Sequence, residues 1–160
     1  MALFIGEYVC KVDDKGRVPF PAPFRAAAVT GDGQIHMVAK KDLFTKSLTL
    51  MTEAEYEKEV SLIEQSLDPY DDEQQALSDE LFRDMAPLEV DPAGRVLLPK
   101  RLIAKAGISK EVVFVGKNSR VKLWDKATYE GSSMPEPEVA ALAKKYLRKK
   151  QADARQEQAS

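Results

Sequence analysis

Residues 12–18 read VDDKGRV and residues 90–96 read VDPAGRV, nearly the same seven letters 78 positions apart. At that offset Val12, Asp13, Gly16, Arg17, Val18 and Pro21 match Val90, Asp91, Gly94, Arg95, Val96 and Pro99, and Phe24 faces Leu102. Further on, Met37-Val38 aligns with Phe114-Val115. After four extra residues in the first copy, Leu48, Leu50, Ala54 and Tyr56 align with Val121, Leu123, Ala127 and Tyr129. The chain is an internal repeat, and a repeat constrains the fold before any single element is assigned. Each copy is only about 45 residues, near the size at which a lone unit struggles to stabilise itself. Two such copies are therefore expected to form one composite domain.

Each copy spells the same elements. GEYVCK (6–11) and Arg17–Phe20 are strand-like, separated by a turn whose aspartate can cap backbone amides and whose glycine can take positive φ. A local β-hairpin is the natural expectation. A short helix with proline in its first turn follows over PFRAAAV (23–29), then strands over Gln34–Lys40 and Ser47–Met51. The second copy predicts strands at Val90, Val96–Leu98, Glu111–Gly116 and Arg120–Trp124, with a helix from Pro99 to Ala106 ending at Gly107. Between the copies, Thr52 and Glu55 have capping-box spacing and Asp68-Pro69 stops the helix. A second connector helix carries Leu77, Leu81-Phe82 and Met85 at helical spacing. After SSMPEPE comes another stripe, Val139, Leu142-Ala143 and Tyr146-Leu147. The expected divisions are repeat 1 at 7–54, an acidic connector at 55–83, repeat 2 at 84–127, an amphipathic helix at 135–150 and a disordered tail at 151–160.

The 160 residues are 44% hydrophobic, enough for one ordinary core. No apolar run reaches the roughly 20 residues of a membrane span, and MALFIGEY lacks the pattern of a signal peptide, so a soluble, unprocessed chain is expected. The single cysteine, Cys10, forbids an internal disulfide and suits a reducing cytoplasm. Net charge is only −2, but residues 52–89 hold thirteen acidic and two basic side chains. The rest of the chain is correspondingly basic, with five basic residues and no acid in Lys144–Lys150. A field so divided attracts an anion to one face and repels it from another; the plainer reading of the acidic stretch is a pair of solvated helix faces.

Enzymatic chemistry finds little to work with. His36 is the only histidine and lies in the apolar run QIHMVA, which suits a strand residue better than a catalyst. One His and one Cys make no zinc site, DDEQQALSDE lacks the alternating ligands and central glycine of a calcium loop, and Gly16 and Gly94 stand alone rather than in a phosphate-cradling loop. No catalytic residue, metal or cofactor is expected, and a hydrolase built on Asp13 and Asp91 lacks an accompanying base. A binding module is expected instead. Turn chemistry accounts for Asp13, Gly16, Asp91 and Gly94, but a turn does not require Arg17 and Arg95. A guanidinium fork suits a phosphate or a guanine edge. Lys11, Lys15 and Arg25 near the first loop, and Lys100, Arg101 and Lys105 near the second, are expected to anchor phosphates.

Two copies of D-x-x-G-R, each followed by an apolar residue and a proline, with helices between and an opening Phe4-Ile5-Gly6, resemble the MraZ family. The resemblance covers about residues 4–147. It implies an α+β fold in which two AbrB-like swapped-hairpin repeats, of the kind found in SpoVT and AbrB regulators and some antitoxins, intertwine into one pseudo-twofold, β-barrel-like domain with flanking helices. It also implies a bacterial, nucleoid-associated cytoplasmic regulator. Such a protein forms ring-like homo-oligomers larger than a dimer and binds repeated short double-stranded DNA elements upstream of its own division and cell-wall gene cluster. No membrane and no small-molecule substrate are implied. DNA contacts carry over onto Arg17 and Arg95, with Lys15 beside the first. Many members have arginine where this chain has Ile5, so a contact there is missing. Pro92-Ala93 stand where the first loop has Asp14-Lys15, so the loops differ, with more charge expected on the first. The rival reading is a non-enzymatic oligomeric scaffold whose repeated loops hold a protein partner.

Overall fold

The structure, a computed structural model, describes residues 3–159, with side chains through residue 148. The elements in chain order are β1 (Glu7–Lys11), β2 (Arg17–Pro19), α1 (Ala22–Ala28), β3 (Met37–Lys41), β4 (Leu48–Thr52), α2 (Glu53–Ser66) and α3 (Asp72–Arg83). They continue with β5 (Met85–Val90), β6 (Arg95–Leu97), α4 (Lys100–Ala106), β7 (Glu111–Lys117), β8 (Arg120–Asp125), α5 (Lys126–Glu130) and α6 (Glu136–Ala159). One compact unit runs to Tyr129, and a second begins at Glu130.

The eight strands of the first unit follow the order β1-β7-β8-β4-β3-β5-β6-β2, every pairing antiparallel. The order shows an exchange: β1 of the first repeat joins β7 of the second, and β5 of the second joins β3 of the first. The end strands β1 and β2 are linked through the first loop, where the Asp13 N–H donates to the Arg17 carbonyl at 2.9 Å, so the barrel is nearly closed. This is the single composite domain that the repeat implied, in the intertwined α+β barrel form that the resemblance implied.

Its interior follows the strand period. Strand β1 alternates exposed and half-buried residues, whereas Leu48, Leu50 and Met51 of β4 are fully buried between two neighbours. Phe4, Phe20, Phe24 and Phe114 meet in the core, with Phe24 5.5 Å from Phe4 and 6.1 Å from Phe20, and Phe20 5.7 Å from Phe114. The offset of 78 places Leu98 and Leu102 at the positions of Phe20 and Phe24, and both are buried. Burying each such side chain stabilises by about 1.5–3 kcal/mol, and every one contacts a core shared by both repeats.

Several sequence expectations shift. Asp13–Gly16 forms the expected turn, but β1 and β2 do not pair as a ladder; each prefers a strand of the other repeat. Of the two strand pairs that flank the D-x-x-G-R turns, β5 and β6 alone form a ladder with each other, over Glu89↔Leu97 and Val90↔Val96. Met37 occupies in the β5–β3–β4 register the place that Val112 occupies in β1–β7–β8. The alignment of Met37-Val38 with Phe114-Val115 is therefore corrected by two residues, which preserves the face but moves the insertions into the loops before and after β3. Strand β3 starts at Met37 rather than Gln34, because the Thr30 hydroxyl donates to the Gln34 carbonyl at 3.0 Å and holds that stretch in a turn. Met85 begins β5 instead of ending the second connector helix. Thr52 caps α2 as expected, accepting from the Glu55 N–H at 3.3 Å.

In the second unit, α6 extends past the boundary expected at residue 150, and Val139, Leu142, Tyr146 and Leu147 are exposed. The side chains of residues 149–160 lie outside the described residues, and with them those of the tail expected over 151–160.

Candidate functional site

The two D-x-x-G-R loops have the same construction atom by atom. In the first, Asp13 Oδ1 accepts the backbone N–H groups of Lys15 and Arg17, both at 2.9 Å, while Oδ2 accepts from Arg17 Nε at 2.8 Å. In the second, Asp91 Oδ1 accepts from Ala93 and Arg95 at 3.0 and 2.9 Å, and Oδ2 from Arg95 Nε at 2.9 Å. The Gly16 and Gly94 N–H groups close the turns onto the Asp13 and Asp91 carbonyls, at φ of 81° and 80°, a conformation that glycine takes without strain. Hydrogen bonds from the Arg17 amide, then from its side chain, hold the Asp13 carboxyl below its ordinary range; Arg95 does the same for Asp91. Each aspartate thus forms the turn and orients an arginine, a role for the arginine that turn chemistry alone had not disclosed.

The loops are joined by the β2–β6 ribbon, with Arg17↔Leu97, Val18↔Val96 and Pro19↔Arg95 in register. Val18 and Val96 are completely buried at its centre. Arg17, Leu97, Pro19 and Arg95 therefore share the opposite, outer face. The connection is reciprocal: the Phe20 N–H donates to the Gly94 carbonyl at 3.0 Å and the Leu98 N–H to the Gly16 carbonyl at 2.9 Å. Aspartate holds the inner nitrogen of each guanidinium, and the side chains are 33% and 37% exposed, so each arginine is fixed at one nitrogen while part of it remains open to solvent.

The other expected site residues divide into two groups. Lys11 at the end of β1, Lys15 in the first loop and Lys100 at the start of α4 are exposed. Arg101 and Lys105 instead converge on Asp84, at 3.0 and 2.7 Å, which counters part of their charge. Arg25 is turned inward beneath the second loop, Nη1 donating to the Phe20 carbonyl at 2.5 Å. The acidic connector is not wholly a solvated face. Glu59 pairs with the buried Lys40, and Arg120 reaches Glu55 at 3.4 Å and Glu59 at 3.9 Å. Those ties link α2 to β3 and β8, and no local sequence signal announced them.

His36 is exposed and its ring Nε2 lies 2.7 Å from Asp32 Oδ2, which raises its pKa. Cys10 packs half-buried against the core, and burial pushes its thiol up, away from the reactive thiolate. Among the described residues, no group of three or more His, Cys, Asp or Glu side chains is placed to hold a metal ion, and no helix is long and apolar enough to cross a membrane.

An intertwined tandem barrel presenting two twofold-related Asp–Arg loops on one ribbon defines the class of swapped-hairpin binding modules. Comparison with known proteins narrows this. A family model described as "MraZ protein, putative antitoxin-like" matches residues 81–136, the second repeat with its flanks. A transcriptional regulator MraZ of Cytophaga hutchinsonii is 32% identical over 148 residues, covering 92% of this chain and 96% of that protein. The protein of the same name from Parvibaculum lavamentivorans is 31% identical over 157 residues, covering 98% of this chain and 97% of that one. That from Rickettsia canadensis is 34% identical over 131 residues, covering 81% and 86%. The chain belongs to the MraZ family.

Proposed function

We propose that the protein is a non-enzymatic, sequence-specific DNA-binding transcriptional regulator. Its relatives carry the name of transcriptional regulators. The single observation that carries the reading in this chain is the pair of identically clamped arginines on the outer face of one two-stranded ribbon. A major groove admits such a ribbon, and a guanidinium fork held by its inner nitrogen can offer two parallel donors to guanine O6 and N7. Arg17 and Arg95 read base edges in this proposal, while Lys15, Lys11 and Lys100 anchor phosphates. Binding is therefore steeply salt-sensitive.

The proposed targets are repeated short elements upstream of the protein's own division and cell-wall gene cluster. One module reaches too few bases to select a promoter among ~10⁶ or more competing sites. A cytoplasmic, nucleoid-associated homo-oligomer gains selectivity by engaging several elements at once. Mobility-shift titration on DNA upstream of the gene tests the whole reading. Arg17→Ala and Arg95→Ala should each weaken specific binding by roughly 1–3 kcal/mol per engaged module, with unchanged circular dichroism. Parent-like binding by both variants would sink it.

A further inference from the structure

The two loops are built alike but seated differently. Helices α1 and α4 align at the offset of 78, so position 25 corresponds to position 103. Each of these side chains lies under the glycine of the opposite loop. A Cβ built on Gly94 would come within 2.9 Å of Arg25 Cζ, and one built on Gly16 within 3.1 Å of Ile103 Cδ1. The first loop thus rests on hydrocarbon, the second on a guanidinium. Arg25 Nη1 donates to the Phe20 carbonyl and lies 3.5 Å from the Gly94 carbonyl, which also accepts the Phe20 N–H. Arg25 occupies the junction at which the first repeat's chain meets the second repeat's loop.

The surroundings make this support matter more for the second loop. Gly16 is buried, whereas Gly94 is only half-buried. A groove of about 530 Å³ runs beside the second loop, between Asp91–Gly94 and the Gly33–Ile35 stretch that follows α1. The second loop therefore has open space at its side and is held from below. Its tip, Pro92-Ala93, has no polar side chain to brace it.

Resting on the reading of the loops as DNA-contacting, we propose that Arg25 is a positioning residue: it seats the second loop so that the Asp91–Arg95 clamp is preorganised, and does not itself touch DNA. The twofold-related halves then present the same fork by different means, one through packing and one through charge-assisted hydrogen bonds to carbonyls. Because both guanidinium contacts go to backbone oxygens, shortening or neutralising the side chain leaves the Phe20–Gly94 junction under-bonded.

Amide hydrogen exchange of the DNA-free full chain tests this directly. Arg25→Ile, which copies the residue used by the other half, should speed exchange at Ala93, Gly94 and Arg95 at least about tenfold, the effect of losing one charge-assisted hydrogen bond. Exchange at Lys15, Gly16 and Arg17 should stay at the parent rate. Ile103→Ala should show the converse pattern. Should Arg25→Ile fail to fold, Arg25→Lys provides the same loop-local readout. In mobility shifts, Arg25→Ile should add nothing to the loss caused by Arg95→Ala, but should add fully to that caused by Arg17→Ala. Unchanged exchange in the second loop would overturn the proposal, and a loss of binding by Arg25→Ile without that change would make Arg25 a direct phosphate ligand instead. If neither Arg17→Ala nor Arg95→Ala affects binding, the DNA reading falls, while the exchange pattern still decides the positioning role.

Discussion

At the scale of single residues, one aspartate per loop does two things, and both depend on its remaining ionised. Asp13 and Asp91 have lowered pKa values, so the stability they contribute is present above the ordinary carboxylate range and is lost only as acid carries the pH down through the depressed values. His36 has the opposite sign. Its pKa is raised, chiefly by the hydrogen bond with Asp32, so the pair's stabilisation is complete below the ordinary histidine value and is lost as pH rises through the elevated one. An NMR titration should therefore find His36 titrating above an unperturbed histidine, and Asp32→Asn should bring it back; an unshifted parent value would dissolve the pair. Gly116 is needed for a different reason. A Cβ there would lie 2.5 Å from the Phe4 carbonyl carbon and oxygen, while the Gly116 N–H donates to the Gly6 carbonyl at 2.8 Å. Phe4 is anchored in the core, so the clash cannot relax by moving a side chain. Gly116→Ala should destabilise by about 3 kcal/mol in urea unfolding.

At the scale of elements, the acidic connector joins the barrel through a few specific charges. Both of its helices are capped from the preceding residue: Thr52 for α2, and Asp71 for α3, whose Oδ2 accepts from the Gln74 N–H at 2.9 Å. Neither helix contains a fully buried side chain. Its charged ties to the sheet include Glu59, which faces Lys40 with side chains only 15% and 11% exposed, and Glu55, which faces Arg120. Removing one member of a nearly buried pair leaves the other unpaired. Glu59→Ala should thus cost about 3 kcal/mol, read as a fall in the urea midpoint. Lys58→Ala, which removes an exposed lysine from a Glu55 that keeps Arg120 as a partner, should change stability by less than about 1 kcal/mol. Equal effects from the two would mean that α2 is held by its apolar side chains instead.

For the whole molecule, exchange of β1 and β5 between repeats makes each half incomplete. Cleavage in the Leu67–Asp71 connection would separate β1 from β7, β2 from β6, β3 from β5 and β4 from β8. The first fragment would keep only the β3–β4 pairing and the second the β5–β6 and β7–β8 pairings, and each would lose its core partners. Separately produced fragments should be unfolded or self-associated by circular dichroism and sedimentation, and mixing them should restore a folded one-to-one complex. Two stable, monomeric halves would rule out the interdependence that the strand order implies.

The repeat, the two turns and the Thr52 cap of α2 were legible in the sequence, as was the recurrence of an arginine after each turn glycine. Each rests on chemistry within a few residues: an aspartate three positions before a glycine, a threonine three before a glutamate, apolar residues at the period of a strand or helix. Legibility stopped where partners are distant. Arg25 reads as one more surface cation beside the first loop, yet the helix that carries it delivers it beneath the second. Lys40 and Glu59 read as ordinary charged residues 19 positions apart, and only the stacking of α2 on the sheet makes them a nearly buried pair. The alternating pattern of β1 fits a local hairpin with β2 as well as it fits a place beside β7. Backbone hydrogen bonds are equally available to either partner, so local pattern cannot choose between them. The choice falls to the joint core of Phe4, Phe20, Phe24 and Phe114, which is buried only when the repeats exchange strands.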